Sequence, residues 1–180
     1  MLLTREDSLL LLVDFQERLA PAIHEGAAAV AEAERLVKIA RLLDVPCLAT
    51  EQYPAGLGPT VAPLKALLQP AEVLEKIHFS AAREEAFLKR LDAGGRRQIV
   101  VMGMEAHVCV LQTALVLAEL DYQVWIVADA IGARRSDSKE LALARFRQAG
   151  LTIVSAEMVA FEWLTRAATE EFRAVLPLLK

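Results

Sequence analysis

Cysteine, histidine and clustered basic charge are all scarce in this chain of 180 residues, which carries two cysteines and three histidines. Cys47 and Cys109 are too few for a disulfide framework, and a chain of this length buries enough apolar surface to fold without one. Hydrophobic residues make up 55% of the chain, yet no run reaches the ~18 uninterrupted apolar residues of a membrane span. Charges recur at helical intervals inside every long apolar stretch instead. Arg5, Glu6 and Asp7 precede a short apolar run that stops at Asp14, so no basic leader with a cleavage site is read there. A soluble, cytoplasmic protein of one domain over residues 1–180 is the expectation. The net charge is −4 and Lys and Arg are dispersed, which disfavours a nucleic-acid or membrane partner and favours a small molecule. Phosphate cradles are missing too. No Gly-x-Gly-x-x-Gly follows a strand, no Gly-x-x-x-x-Gly-Lys-Ser/Thr occurs, and Gly94-Gly95 stands before a strand rather than after one.

What the chain does have is an alternation of short apolar runs with helical periods. Strands are predicted over Ser8–Val13, Pro46–Thr50, Ala71–Glu75, Gln98–Met102, Gln123–Ala128 and Leu151–Ser155, several of them rich in Val, Ile and Leu without polar alternation. Such strands are buried on both faces. Between them, Ala33, Leu36, Val37, Ala40 and Leu43 line one helical face opposite Glu32, Arg35, Lys38 and Arg41, and Leu111, Ala114, Leu115 and Ala118 repeat the stripe. Asp137 with Glu140 reads as a capping-box start for a helix that ends at Gly150. The order is β-α-β throughout, which predicts a three-layer, doubly wound, Rossmann-like α/β fold with six parallel strands, for which 3-2-1-4-5-6 is the common order and the one expected. Gln52–Pro70, rich in Pro and Gly, reads as a long loop with one short helix near Pro63–Leu68. The last stretch, Glu157–Lys180, reads as helices whose Phe161, Trp163, Leu164, Phe172 and Leu176 bury either in the core or at a subunit interface.

Ligands of open α/β sheets bind beyond the carboxyl ends of the strands. Three complementary residues fall there. Asp14 follows the first strand, Lys76 ends the third and Cys109 opens the helix after the fourth. The 3-2-1-4-5-6 order puts strands one and four at the switch point, with Lys76 reaching across. In that arrangement Asp14 takes the thiol proton, Lys76 lowers the thiol pKa by its charge, and Cys109 attacks an electrophilic carbon to give a thioester. A helix N-terminus would stabilise both a thiolate and a neighbouring oxyanion. Two other readings stand beside this one: a binding or scaffold protein that keeps the fold without turnover, and a redox-sensing thiol.

Asp14-Phe-Gln16, Lys76-Ile-His-Phe-Ser80 and Gly103-Met-Glu-Ala-His-Val-Cys109, taken in order and spacing, resemble the isochorismatase-like cysteine hydrolase superfamily over nearly the whole chain. The stretch Thr50-Glu-Gln-Tyr-Pro-Ala-Gly-Leu-Gly-Pro-Thr60 is similar to the isochorismatase-domain-containing subgroup. The resemblance implies an Asp-Lys-Cys triad of Asp14, Lys76 and Cys109, and hydrolysis of a C–N bond through an acyl-enzyme, an amidohydrolase reaction. It also implies a non-proline cis peptide at Met104–Glu105, which would aim the N–H of Glu105, with that of Cys109, at an oxyanion. Nicotinamidases of this superfamily carry an Asp-x-His pair and a further histidine for a metal. Glu51-Gln52-Tyr53 stands at the matching place, and no histidine follows up to Pro70, so neither a metal nor another cofactor is expected. Isochorismatases proper cleave a vinyl ether and lack the nucleophilic cysteine, so the cysteine here favours acyl or carbamoyl transfer to water. A homo-oligomer is expected from the apolar C-terminal helices together with the resemblance.

The remaining candidates are substrate contacts with structural alternatives. Phe15, Tyr53 and Phe79 offer an apolar wall or simple packing. Glu51 and Gln52 offer polar contacts to a ligand, or loop-stabilising hydrogen bonds. His107 offers a proton shuttle or a backbone cap. His78 reads as solvent exposed, Asp129 as structural and Cys47 as core.

Overall fold

The computed structural model describes residues 1–180. Its elements run β1 (Ser8–Val13), α1 (Gly26–Leu42), β2 (Cys47–Gln52), α2 (Pro54–Leu57), α3 (Ala62–Lys65), β3 (Val73–Lys76), α4 (Glu85–Gly94), β4 (Gln98–Met104), α5 (Leu111–Glu119), β5 (Gln123–Gly132), α6 (Ser136–Gln148), β6 (Thr152–Val154), α7 (Ala156–Leu164) and α8 (Glu170–Val175). The six strands form one parallel sheet in the order 3-2-1-4-5-6, as expected from the β-α-β alternation. No helix is long and apolar enough to cross a membrane.

The unbroken apolar strands are explained by what lies on each face. Leu10, Leu12, Val100, Met102, Trp125 and Val127 pack with α1, α7 and α8. Their neighbours Leu9, Leu11, Val13, Ile99, Val101, Val124 and Ile126 pack with α4, α5 and α6. Alternate residues therefore serve opposite cores. Cys47 belongs to the first of them, where burial pushes its thiol up to about 12.

Several boundaries differ from the sequence expectation. The 52–70 stretch holds two short helices, α2 and α3, each opened by a proline in its first turn. The capping box at Asp137 is not formed. Helix α6 starts one residue earlier, and the Asp137 carboxylate accepts from Arg135 Nε (3.0 Å) and Nη2 (2.6 Å), a charge-assisted fork that outcompetes a single backbone N–H. At the other end Gly150 takes the expected left-handed conformation, φ 77°. Of the C-terminal apolar residues, Trp163 and Leu164 enter the core, Trp163 Nε1 donating to Ser8 Oγ at 2.9 Å, while Phe161 faces outward. Asp129 is structural, its carboxylate accepting from the Ala156 N–H at the start of α7 (2.9 Å).

Two departures from regular geometry shape the carboxyl edge of the sheet. Strand β5 continues to Gly132, its register against β4 jumping from Val101↔Ile126 to Gly103↔Ile131. Strand β1 meets β4 very closely at Gly103, φ 148°, where a Cβ would lie 2.2 Å from the Val13 carbonyl oxygen. Only glycine permits that contact. Gly103→Ala is therefore expected to lower unfolding free energy by at least about 2 kcal/mol, as overpacking combined with a disallowed φ. Urea denaturation would read this as a lower midpoint, and an unchanged midpoint would contradict the close-approach argument.

Candidate active site

Strand β1 ends in a sharp turn because Asp14 adopts φ 54°, a left-handed conformation that aspartate tolerates better than most residues. Simple alternation would send Phe15 to the same face as Leu11 and Val13. The turn sends it to the α1 side instead, where it is fully buried. Phe15 thus fills the core, the packing role of the two that the sequence left open, and does not line the cavity.

The same turn leaves the Asp14 carboxylate wholly buried. Thr50 Oγ1 donates to its Oδ1 at 2.7 Å, and Lys76 Nζ stands 2.8 Å from its Oδ2, both side chains being essentially inaccessible at 0% and 1% exposure. The ammonium donates to Gln52 Oε1 (2.6 Å) and to the carbonyl oxygens of Phe79 (3.1 Å) and His78 (3.3 Å). The ammonium thus has three further acceptors besides the Asp14 carboxylate, which it meets at 2.8 Å as the opposite charge. Burial raises the pKa of Asp14, opposed by the Lys76 charge and the Thr50 hydroxyl.

Cys109 reaches the same spot from β4. After Met104 comes a cis peptide bond to Glu105, then a π-helical turn over Ala106–Val110 that runs into α5. Glu105 N–H donates to none of the chain's acceptors. Asp14 and Lys76 both act on the Cys109 thiol, and the balance is upward: burial and the Asp14 charge push it up to about 12, Lys76 only partly opposing them. The expected Lys76-activated thiolate is not what these surroundings favour. Desolvation outweighs one already paired ammonium, so the resting thiol keeps its proton.

Asp14, Gln52, Phe79, Glu105 and Cys109 open onto one cavity of about 380 Å³, with Leu19, Leu57 and Val108 as apolar wall. Two arginines complete it, Arg18 and Arg134, which the sequence reading passed over. Arg134 Nε and backbone N–H donate to Glu105 Oε2 at 2.9 and 3.2 Å. Position supplied the missed signal: Arg134 lies just past the end of β5, where a functional residue is to be sought. The extra length of β5 hid it.

The other candidates go elsewhere. Glu51 Oε1 accepts from Thr60 N–H (2.6 Å) and Oγ1 (2.7 Å), bracing the loop. Gln52, besides lining the cavity, holds Lys76 and donates to the Ile77 carbonyl oxygen at 2.8 Å. Tyr53 lines a neighbouring hollow with Glu75, Ile77 and Glu84 instead of facing Cys109. His107 is absent from the cavity wall, its Nδ1 buried without a partner. His78 is exposed, as expected, and pairs with Glu84 at 2.9 Å. The Glu84 carboxylate also accepts from the N–H groups of Ile77 and His78, which holds its pKa down to about 2. The turn 77–79 is thus gripped by Glu84 on its N–H side and by Lys76 on its carbonyl side.

Residues 8–158 match the isochorismatase domain. Isochorismatase domain-containing protein 2A of Mus musculus is 39% identical over 176 residues, covering 97% of this chain and 84% of the mouse protein. Among solved structures, the MAR1 ribonuclease of Caenorhabditis elegans superposes with a TM-score of 0.93 at 30% identity, covering 99% of this chain and 92% of that one. YcaC of Pseudomonas aeruginosa, solved with hexane-2,5-diol and covalent acrylamide, gives 0.92 at 27% identity, covering 98% and 91%. The Escherichia coli YcaC gene product, described as an octameric hydrolase of unknown specificity, gives 0.90 at 27% identity, covering 99% and 87%. By sequence match and by fold together, the chain belongs to the isochorismatase domain family.

Proposed function

We propose that the protein is a cofactor-independent cysteine hydrolase that cleaves a C–N bond of a small amide or carbamoyl compound through a thioester on Cys109. The observation that carries this reading is the buried Asp14 carboxylate, held 2.8 Å from the Lys76 ammonium and sharing its cavity with one thiol, that of Cys109, on which both charges act.

The chemistry runs as follows. Cys109 Sγ bonds to the carbonyl carbon while its proton passes to Asp14 Oδ2, so the thiolate need not exist beforehand. Charge develops on the carbonyl oxygen, to which the N–H groups of Glu105 and Cys109 donate as an oxyanion hole. Collapse breaks the C–N bond, and the departing amine takes the proton from Asp14. Water then attacks the thioester, giving a proton to Asp14; as the C–S bond breaks, Asp14 returns that proton to the Cys109 sulfur, so the acid leaves and the free thiol and ionised Asp14 are restored. Lys76 keeps Asp14 ionised between steps. A raised Asp14 pKa makes it a stronger base, suited to a reluctant thiol.

Covalent acrylamide in the Pseudomonas YcaC structure supports a site in this family that takes a small amide-bearing electrophile. A redox-sensing role fits less well, because sensors use accessible, low-pKa thiolates and Cys109 is neither. The net charge of −4 with dispersed Lys and Arg likewise disfavours RNA as substrate. The octameric state of the Escherichia coli YcaC protein supports a homo-oligomer here, and exposed Tyr53, Ile77, Phe79, Met158 and Phe161 supply apolar surface for it.

Against a panel of small amides, intact mass spectrometry is expected to show an acyl adduct on Cys109, with turnover that survives chelator dialysis. Cys109→Ala should abolish turnover and Asp14→Asn should cut kcat by about 10²–10⁴, the usual worth of a general base. The kcat/KM profile should fall on the acid side through a value above the ordinary carboxylate ~3.9, since Asp14 must be ionised and its pKa is raised. Undiminished turnover by Cys109→Ala would sink the mechanism. Iodoacetamide labelling of Cys109 should still be accelerating at pH 10, and Lys76→Met should displace the curve further upward. A plateau below pH 8.5 in the wild type would contradict a protonated resting thiol. Light scattering should give a mass above that of a single chain, and a monomer at micromolar concentration would remove the assembly claim.

A further inference from the structure

The charges around the Cys109 cavity do not balance. Asp14 is matched by Lys76 and Glu105 by Arg134, but the Arg18 guanidinium has no carboxylate within ion-pair distance. Its one partner is the Gly56 carbonyl oxygen, 2.9 Å from Nη1. Arg134 is bound to Glu105 through Nε alone, so its Nη groups also have no protein acceptor. The cavity is therefore a net cationic place in a chain of net charge −4.

Arg18 is also held in position. Its own N–H donates to the Leu57 carbonyl oxygen at 3.0 Å, and Glu17 N–H donates to that of Pro59 at 3.0 Å. Gln16, fully buried, donates to the carbonyl oxygens of Gly58 (2.7 Å) and Gln52 (3.0 Å) and accepts from Gln52 N–H (2.7 Å). Residues 16–18 and 52–60 thus form one stitched wall, and the guanidinium lies on it with donors to spare.

Resting on the cysteine hydrolase reading, we infer that the substrate is a small amide carrying a carboxylate, whose carboxylate is bound by Arg18 with help from the free Nη face of Arg134. A guanidinium fork matches a carboxylate in shape, and both arginines are exposed at the cavity mouth with N–H groups to offer it. One uncompensated positive charge balances one carboxylate. A phosphate monoester, at about −1.5 to −2, would leave excess negative charge beside Glu105 and Asp14. The wall of Leu19, Leu57 and Val108 suits a short apolar spacer between the two ends.

The test uses two reagents of one shape and different charge. Iodoacetate and iodoacetamide are reacted with the full-length protein at pH 8.5, and the rate of Cys109 labelling is read by peptide mass. The iodoacetate-to-iodoacetamide rate ratio is expected to fall at least tenfold in Arg18→Met and to be largely kept in Arg18→Lys. A loop strut without an anion-binding role would change both rates together and leave the ratio fixed, which overturns the inference. A second arm needs no chemistry: ligand-observed NMR of butyrate and butyramide with the Cys109→Ala protein. Butyrate should bind more tightly than butyramide, and Arg18→Met should remove the difference. Equal binding overturns the carboxylate assignment, whereas preferential butyrate binding without any labelling at Cys109 would leave it standing and sink the hydrolase reading instead.

Discussion

The ion pair between Asp14 and Lys76 is the contact around which the carboxyl edge of this sheet is arranged. Both groups lie out of reach of water, and a buried charge that loses its partner costs about 3–5 kcal/mol. Neighbouring segments are accordingly committed to satisfying the pair. Thr50 serves the carboxylate, while Gln52 and two carbonyls of the 77–79 turn serve the ammonium. Glu84 grips that turn from its other side and keeps those carbonyls aimed inward. Strands β1, β2 and β3 are tied together at their ends by one charge contact.

The pair also accounts for the state of the thiol. A free ammonium near Cys109 would draw out a thiolate. Here the ammonium is already engaged, the carboxylate repels a second negative charge, and burial adds to both. Under the proposed hydrolase chemistry, these surroundings call for proton movement during attack rather than a stored thiolate. Protection of the resting thiol from oxidation follows from the same arrangement.

Close approach at the switch point is the second constraint. With β1 and β4 in contact at Gly103, the left-handed Asp14 and the π-helical turn bearing Cys109 are brought to one spot. The segment after Asp14 then runs against the 52–60 loop, where buried Gln16 joins the two. Those hydrogen bonds put an arginine on the cavity wall, so chain geometry chosen for one carboxylate also sets the charge of the pocket.

Much of this was legible in the chain itself. Unalternating strands and striped helices pointed to a parallel sheet, because only burial on both faces makes such patterns favourable, and its order is the common one of doubly wound folds. Residues at strand ends pointed to Asp14, Lys76 and Cys109. Local patterns were silent on side-chain destinations. Phe15 could have been a substrate wall or packing until one positive φ turned it into the core, and Glu51 a ligand contact or a loop brace until Thr60 proved to be its partner. Arg134 was out of view because strand β5 gains its extra length only from pairing with β4, and Arg18 because its exposure to the cavity depends on a loop distant in sequence. The direction of the Cys109 pKa belongs to the same class. Sequence determined which charges were present; desolvation, and which of those charges were already paired, are properties of the packed interior and were decided only by the tertiary structure.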